Sequence, residues 1–178
     1  MIDGAVKDRQ SITADWVPLL DPIAGVRIRE VKNVPRNNGI LTEVFRRDWN
    51  LDDGLVDQVF QSVLVPGAVS AWHAHQHTTD RLFVTHGHLR IVLFDAREDS
   101  ASRGRINEFR FGSQRPALVC VPSGVWHGVQ NIGDESVSLL NLVDRAYRYE
   151  DPDHWRLPPD TPKIPYSFRT ACLTDGLR

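Results

Sequence analysis

Apolar and polar residues alternate along Val26-Arg27-Ile28-Arg29-Glu30-Val31, the period of a strand with one buried face. Short β-branched and apolar runs follow at 39–45, 56–65, 81–85, 89–94, 106–111, 117–121, 125–130 and 137–143. Turn residues punctuate them, as in Asn37-Asn38-Gly39, Asp52-Asp53-Gly54, Pro66-Gly67, Pro122-Ser123-Gly124 and Ile132-Gly133-Asp134. Many short strands between turns, with no long helical stretch, predict an all-β sandwich or barrel. Its interior is expected to hold Leu64, Val69, Leu82, Val84, Val92, Leu118, Val125, Val129 and Leu140, subject to register.

The ends break this pattern. Residues 1–24 are weakly periodic and read as an N-terminal arm, leaving a barrel domain over 25–145. Residues 146–178 carry Pro152, Pro158, Pro159, Pro162 and Pro165, a density that excludes central strands and most helix. They read as an extended, proline-rich C-terminal tail.

The chain has 178 residues, which suits one domain with arms. Hydrophobic residues at 41% and charged residues at 25% argue against disorder. Apolar runs of only a few residues exclude a transmembrane helix, and the N-terminus lacks the layout of a signal peptide. A cytoplasmic location is therefore expected. Two cysteines, Cys120 and Cys172, cannot build a disulfide framework. A net charge of −2 argues against nucleic-acid and membrane-surface partners. Only Lys7, Lys32 and Lys163 are lysine, so the basic residues are nearly all arginine. We assign that bias to genome composition.

Six of the seven histidines lie between positions 73 and 127. On a strand His73 and His75 share a face, so two imidazoles can grip one ion. Asp80 follows after a turn, and His127 lies on the strand behind the Pro122–Gly124 turn. Converging, His73, His75, His127 and Asp80 would suit Fe(II), Mn(II), Ni(II) or Zn(II) with positions left open. His86 and His88 flank Gly87 at a hairpin turn, and His154 lies in the tail; all three read as solvated.

The spacing of Gly67, His73, His75, Asp80 and Gly87 resembles the first cupin motif, with Asp where Glu is usual. Pro122, Gly124, His127 and Asn131 resemble the second, with Pro116 in place of its leading glycine. The resemblance implies a cupin-type jelly-roll β-barrel.

A longer stretch, about residues 25–165, resembles the dTDP-4-dehydrorhamnose 3,5-epimerase family of cupins. The resemblance is carried by Gly25-Val26-Arg27-Ile28, Asn38 to Arg46, Val59-Phe60-Gln61-Ser62, Arg81-Leu82-Phe83-Val84, Val92 to Arg97 and Val121 to Gly128. It implies proton abstraction beside a sugar ketone by a metal-free acid–base scheme. By family position the base is His73 and the basic residue near the enolate is Arg81, where lysine is usual. Ser70-Ala71 replaces the family's arginine before the base, and Asn37-Asn38-Gly39 its Asp-Arg-Gly. Asn141 stands where the family has its acid tyrosine and is placed in the substrate pocket, with Tyr147 and Tyr149 close behind as alternative acids or bases. The metal set and this scheme conflict, because a histidine that binds a metal cannot also take the proton. With a metal bound, the base passes to Tyr147, Tyr149 or His77.

The pocket is expected to be floored by the metal and lined by Trp72, Phe83, Trp126 and Asn141. Strand alternation opposes the two tryptophans unless the strands bulge. The function so read is a metal-binding isomerase or epimerase of a small-molecule substrate such as a nucleotide sugar. An Fe(II) dioxygenase, a metal-assisted lyase and a non-catalytic binding cupin are the alternatives. A homodimer is expected from the resemblance and the exchangeable ends.

Overall fold

The computed structural model describes residues 2–168. Twelve strands run in chain order: β1 (Arg27–Glu30), β2 (Asn33–Arg36), β3 (Gly39–Thr42), β4 (Gln58–Leu64), β5 (Val69–Ala74), β6 (Asp80–His86), β7 (His88–Asp95), β8 (Ile106–Gly112), β9 (Ala117–Val121), β10 (Val125–Asn131), β11 (Val137–Val143) and β12 (Trp155–Arg156). A 3-10 turn occupies Arg47–Trp49. Two five-stranded antiparallel sheets, in the orders β1-β9-β6-β11-β4 and β12-β5-β10-β7-β8, form a jelly-roll sandwich, and β2-β3 is a separate hairpin.

Alternation along the strands sorts the apolar side chains into layers. Leu64, Leu82, Val84, Ile91, Leu93, Val119, Val125, Val129 and Leu139 pack in one cluster between the sheets. The outer faces are covered as well. Phe83, Leu118, Cys120 and Leu142 pack beneath Val44, Phe45, Trp49 and Leu51. Trp72, Val92 and Phe94 pack against Ile164 and Phe168 from the C-terminal segment. Both faces being covered explains why β9 is apolar without a break and buried at every position.

Val92 and Leu118 are thus buried, but in outer layers, and Val69 and Leu140 are half-buried there. The run at 39–45 stops as a strand at Thr42, because Val44 and Phe45 turn inward to cover Leu118 and its neighbours. Of the arm, Ile23 enters the central core, its N–H donating to Asn107 Oδ1 at 2.8 Å. Among the described residues no helix is long and apolar enough to cross a membrane. Cys172 and the tail beyond 168 lie outside the described residues.

Candidate active site

A cavity of about 660 Å³ opens between the two sheets. His127, Asp80 and Asn141 line its buried end, and Tyr147 and Tyr149 its exposed rim. The pattern follows from parity. Val125, His127 and Val129 of β10 face inward, as do Asp80, Leu82 and Val84 of β6. His127 pairs with His73 across β10 and β5, and three residues of β5 then oppose two of β10 up to the Val129–Ser70 pair, a bulge. Gly124 adopts a φ of +80°, which suits glycine, and donates its N–H to the His75 carbonyl at 2.7 Å. That bond ties the turn before β10 to the end of β5.

Three side chains converge at the buried end. His75 Nε2 lies 3.2 Å from Asp80 Oδ2, and His127 Nε2 lies 3.7 Å from the same oxygen. The three ligand atoms lie within 4.8 Å of one another. Each side chain is held from behind. His75 Nδ1 donates to the Asp153 carbonyl at 2.5 Å, His127 Nδ1 faces the Val125 carbonyl at 3.5 Å, and Asn141 Nδ2 donates to Asp80 Oδ1 at 2.5 Å. Burial pushes the Asp80 carboxyl up, but the His127 and His75 imidazoles and the Asn141 hydrogen bond outweigh it and hold it at about 2. Burial likewise opposes charge on His75, yet Asp80 wins and raises its pKa. For His127 burial dominates and lowers it.

His73 stands outside this trio. Its Nε2 is 2.9 Å from Ser70 Oγ and its Nδ1 is 3.1 Å from His154 Nε2. The expected four-ligand set therefore divides into His75, Asp80 and His127 on one side and His73 on the other, because both His73 nitrogens are turned to other partners. Burial and the positive charges of His127, Arg156, His154 and His75 hold His73 down at about 3, so its ring is neutral at pH 7.

His154, read from the sequence as solvated, belongs to the site. Burial, then the charges of His75 and Arg156, lower its pKa to about 4. Its neighbour Asp153 delivers it. The Asp153 carboxylate accepts from the N–H groups of Gln76, His77 and Thr78 at 2.7, 2.8 and 3.1 Å, and from the Thr78 hydroxyl at 3.1 Å. β12 then pairs with β5, setting Arg156 opposite His73 and Trp155 opposite Ala74. No local pattern marked this segment, since two strand residues among prolines have no periodicity to read.

Arg81 does not reach the cavity. With Asp80 facing inward, the next residue on the strand faces out. There Arg81 is fully buried, its Nε 2.7 Å and its Nη2 2.5 Å from the Asp52 carboxylate, with Nη2 also donating to the Gly54 carbonyl at 3.0 Å. On β6 the cavity is lined by Asp80 and Leu82, not by Arg81. Alternation removes three expected pocket residues too: Trp72 and Trp126 pack in the outer cluster under the tail, and Phe83 under Phe45 and Trp49. Asn141, His77, Tyr147 and Tyr149 do line the cavity, the two tyrosine rings 5.5 Å apart. His86 and His88 are exposed, with His86 near Glu135 at 3.2 Å.

The family model described as dTDP-4-dehydrorhamnose 3,5-epimerase matches residues 21–173. The chain is 35% identical over 139 residues to the probable low-salt glycan biosynthesis epimerase Agl13 of Haloferax volcanii, covering 78% of this chain and 89% of that protein. It is 30% identical over 148 residues to the spore coat polysaccharide biosynthesis protein SpsL of Bacillus subtilis, covering 83% and 97%. Among solved structures, a dTDP sugar isomerase from Desulfovibrio desulfuricans G20 superposes with a TM-score of 0.79 at 28% identity, covering 85% of this chain and 96% of that one.

Proposed function

Because the chain belongs to the dTDP-4-dehydrorhamnose 3,5-epimerase family, we propose that it inverts a carbon beside the carbonyl of a keto sugar carried on a nucleotide. The observation that carries this reading is a neutral His73 facing a cavity that also holds a rim of tyrosines. With its Nδ1 proton donated to His154, His73 keeps a lone pair on Nε2, beside the Ser70 hydroxyl. Nε2 takes the proton next to the carbonyl, leaving an enolate. Tyr147 or Tyr149 returns a proton to the opposite face, and inversion results. Family membership favours this isomerase over the dioxygenase, lyase and non-catalytic readings. Incubation with keto-sugar nucleotides in deuterated water is expected to place deuterium next to the carbonyl. No exchange across a panel of such sugars would remove the reading.

We further propose that His75, Asp80 and His127 hold one divalent ion, with Fe, Mn, Ni and Zn as candidates. Ligands about 2.1 Å from a shared ion stand about 3.0 to 3.4 Å apart in octahedral or tetrahedral geometry. The separations of 3.2 and 3.7 Å from Asp80 Oδ2 fit with small movement. A backbone carbonyl on each Nδ1 directs each Nε2 lone pair toward the centre, as metal-bound histidines require. Such an ion would polarise the sugar carbonyl as a Lewis acid. It would leave His73 free as base, which removes the conflict between ligand and base. Elemental analysis of protein purified without added metal is expected to find about one ion per chain, and His127→Ala to lose it. Full occupancy in that variant would defeat the site.

The homodimer is proposed on β4. It ends its sheet and presents Val59 and Val63, with Val65 beyond, to solvent. An exposed apolar edge invites pairing, and a second copy would cover it. Light scattering is expected to give twice the chain mass, with Val63→Lys shifting it to the monomer. A monomeric wild type overturns the proposal.

A further inference from the structure

We propose that Tyr147 is the proton donor and that Asp57, which stands outside the cavity, is its positioning residue, so that the two control inversion while His73 controls abstraction. This rests on the epimerase reading for the reaction and adds what decides its stereochemical outcome.

The placement begins where the pairing of β4 with β11 ends. Its last rung sets Val143 opposite Gln58, and Asp57 N–H donates to the Val143 carbonyl at 2.8 Å. Residues 144–149 then leave the sheet without helix or strand. Side chains take over where the ladder stops. Asp144 Oδ1 accepts the Thr79 N–H, Asp57 Oδ2 that of Ala146 and Gln58 Oε1 that of Tyr147, all at 2.8 Å. Two consecutive N–H groups fixed in this way set the direction in which the Tyr147 side chain leaves the backbone. Tyr149 lies two residues past the last of these bonds and is 86% exposed, against 47% for Tyr147. Its ring meets the Tyr147 ring edge-on. Tyr147 is thus the anchored phenol of the cavity wall and Tyr149 its outer neighbour. Gln58 lines the cavity as well, whereas Asp57 does not and reaches the site only through the Ala146 backbone.

The sheets make this pair an inverting one. His73 comes from β5 in one sheet, and Tyr147 from beyond the end of β11 in the other. A sugar ring lying between the sheets meets the base on one face and the phenol on the opposite face. Asn141, at the buried end, cannot replace the phenol. An amide has no proton to give at neutral pH, and both of its ends are taken: Oδ1 accepts the Arg81 N–H at 3.1 Å and Nδ2 donates to Asp80. As Tyr147 acts, its O–H bond breaks and the enolate electron pair forms the new C–H bond. The phenolate regains a proton from water, and the His73 ring releases to water the one it took. With Tyr147 absent or displaced, His73 returns a proton only to the face it came from. Exchange with solvent then continues while inversion stops.

Keto-sugar nucleotides in deuterated water test this, with deuterium next to the carbonyl and configuration read by NMR in the same sample at early times. The ratio of inverted product to deuterated, uninverted substrate does not depend on how much of a variant is folded. Tyr147→Phe is expected to lower that ratio about a hundredfold, as for loss of a general acid. Asp57→Ala should lower it about tenfold, less than removal of the acid, because the bond from Tyr147 N–H to Gln58 remains. Asp57→Asn should restore it, since the amide oxygen accepts the same N–H. A wild-type ratio in Tyr147→Phe or in Asp57→Ala overturns the proposal, and so does a fall in Tyr149→Phe in place of Tyr147→Phe. No deuterium in any sugar with the wild type would remove the epimerase reading itself. Exchange and inversion in the wild type, with unaltered ratios in the variants, would keep that reading and remove only this pair.

Discussion

Replacing His73 with alanine is expected to slow deuterium exchange next to the sugar carbonyl by about a thousandfold in kcat, the middle of the range for losing a general base. KM should move little, because His73 is placed to act on the reacting proton rather than on the bulk of the ligand. His154→Ala should cost less, about tenfold on the same scale, because His154 acts through the His73 ring by holding its Nδ1 proton 3.1 Å away. The two effects should not add in the double variant, since the second histidine has nothing to orient once the first is gone. Exchange within a few-fold of wild type in His73→Ala would move the base elsewhere, with His77 the next imidazole on the cavity wall. His73 would then be a packing residue between Ser70 and His154.

Removing Asp52 should destabilise the fold without slowing the reaction. Arg81 is fully buried and Asp52 retains some exposure, so Asp52→Ala leaves a buried guanidinium hydrogen-bonded only to the Leu142 and Gly54 carbonyls, with the Asp144 charge and the Phe45 ring as its remaining electrostatic neighbours. Breaking such a pair typically costs several kcal/mol, and about 3 kcal/mol is expected here because solvent reaches one partner. Urea denaturation measures it as a lower midpoint at unchanged slope. The dependence on pH has a definite sign. Burial pushes the Asp52 carboxyl up, but the Arg81 hydrogen bond and charge outweigh it and leave it below its ordinary value. Its stabilisation is therefore present above about pH 4, the unfolded value, and is lost as pH falls through the folded one. Wild type and variant should converge in acid. A kcat for folded Asp52→Ala equal to wild type would separate Arg81 from the chemistry. A fall of two orders of magnitude would return it to the enolate.

The chain's local pattern was enough for the barrel and for bringing His75, Asp80 and His127 forward as neighbours. Short apolar runs between turns marked nine of the strands, some by period-2 alternation, because side-chain direction in a strand alternates whatever its neighbours are, and some by an unbroken apolar run. The same rule put His73 and His75 on one face and His127 behind its turn, and His127 does pair with His73. It also warned that Trp72 and Trp126 point away, and both do. Applied one residue further, it would have exchanged Arg81 for Asp80 as the cavity residue, since neighbours on a strand cannot share a face.

The rest depended on contacts between distant segments. Phe45 and Trp49 cover one sheet and Ile164 and Phe168 the other, so burial on outer faces reflects what lies on top of a strand and not its own period. His154 reaches His73 across 81 positions. It does so because the Asp153 carboxylate collects the free N–H groups of the 76–78 turn and β12 adds two residues to the edge of β5. Neither bond leaves a trace in local hydrophobic pattern. The division of four ligand candidates into a trio and a separate His73 has the same origin: His73 and His75, two positions apart on one face, are turned to His154 and to the Asp153 carbonyl, both from the far end of the chain.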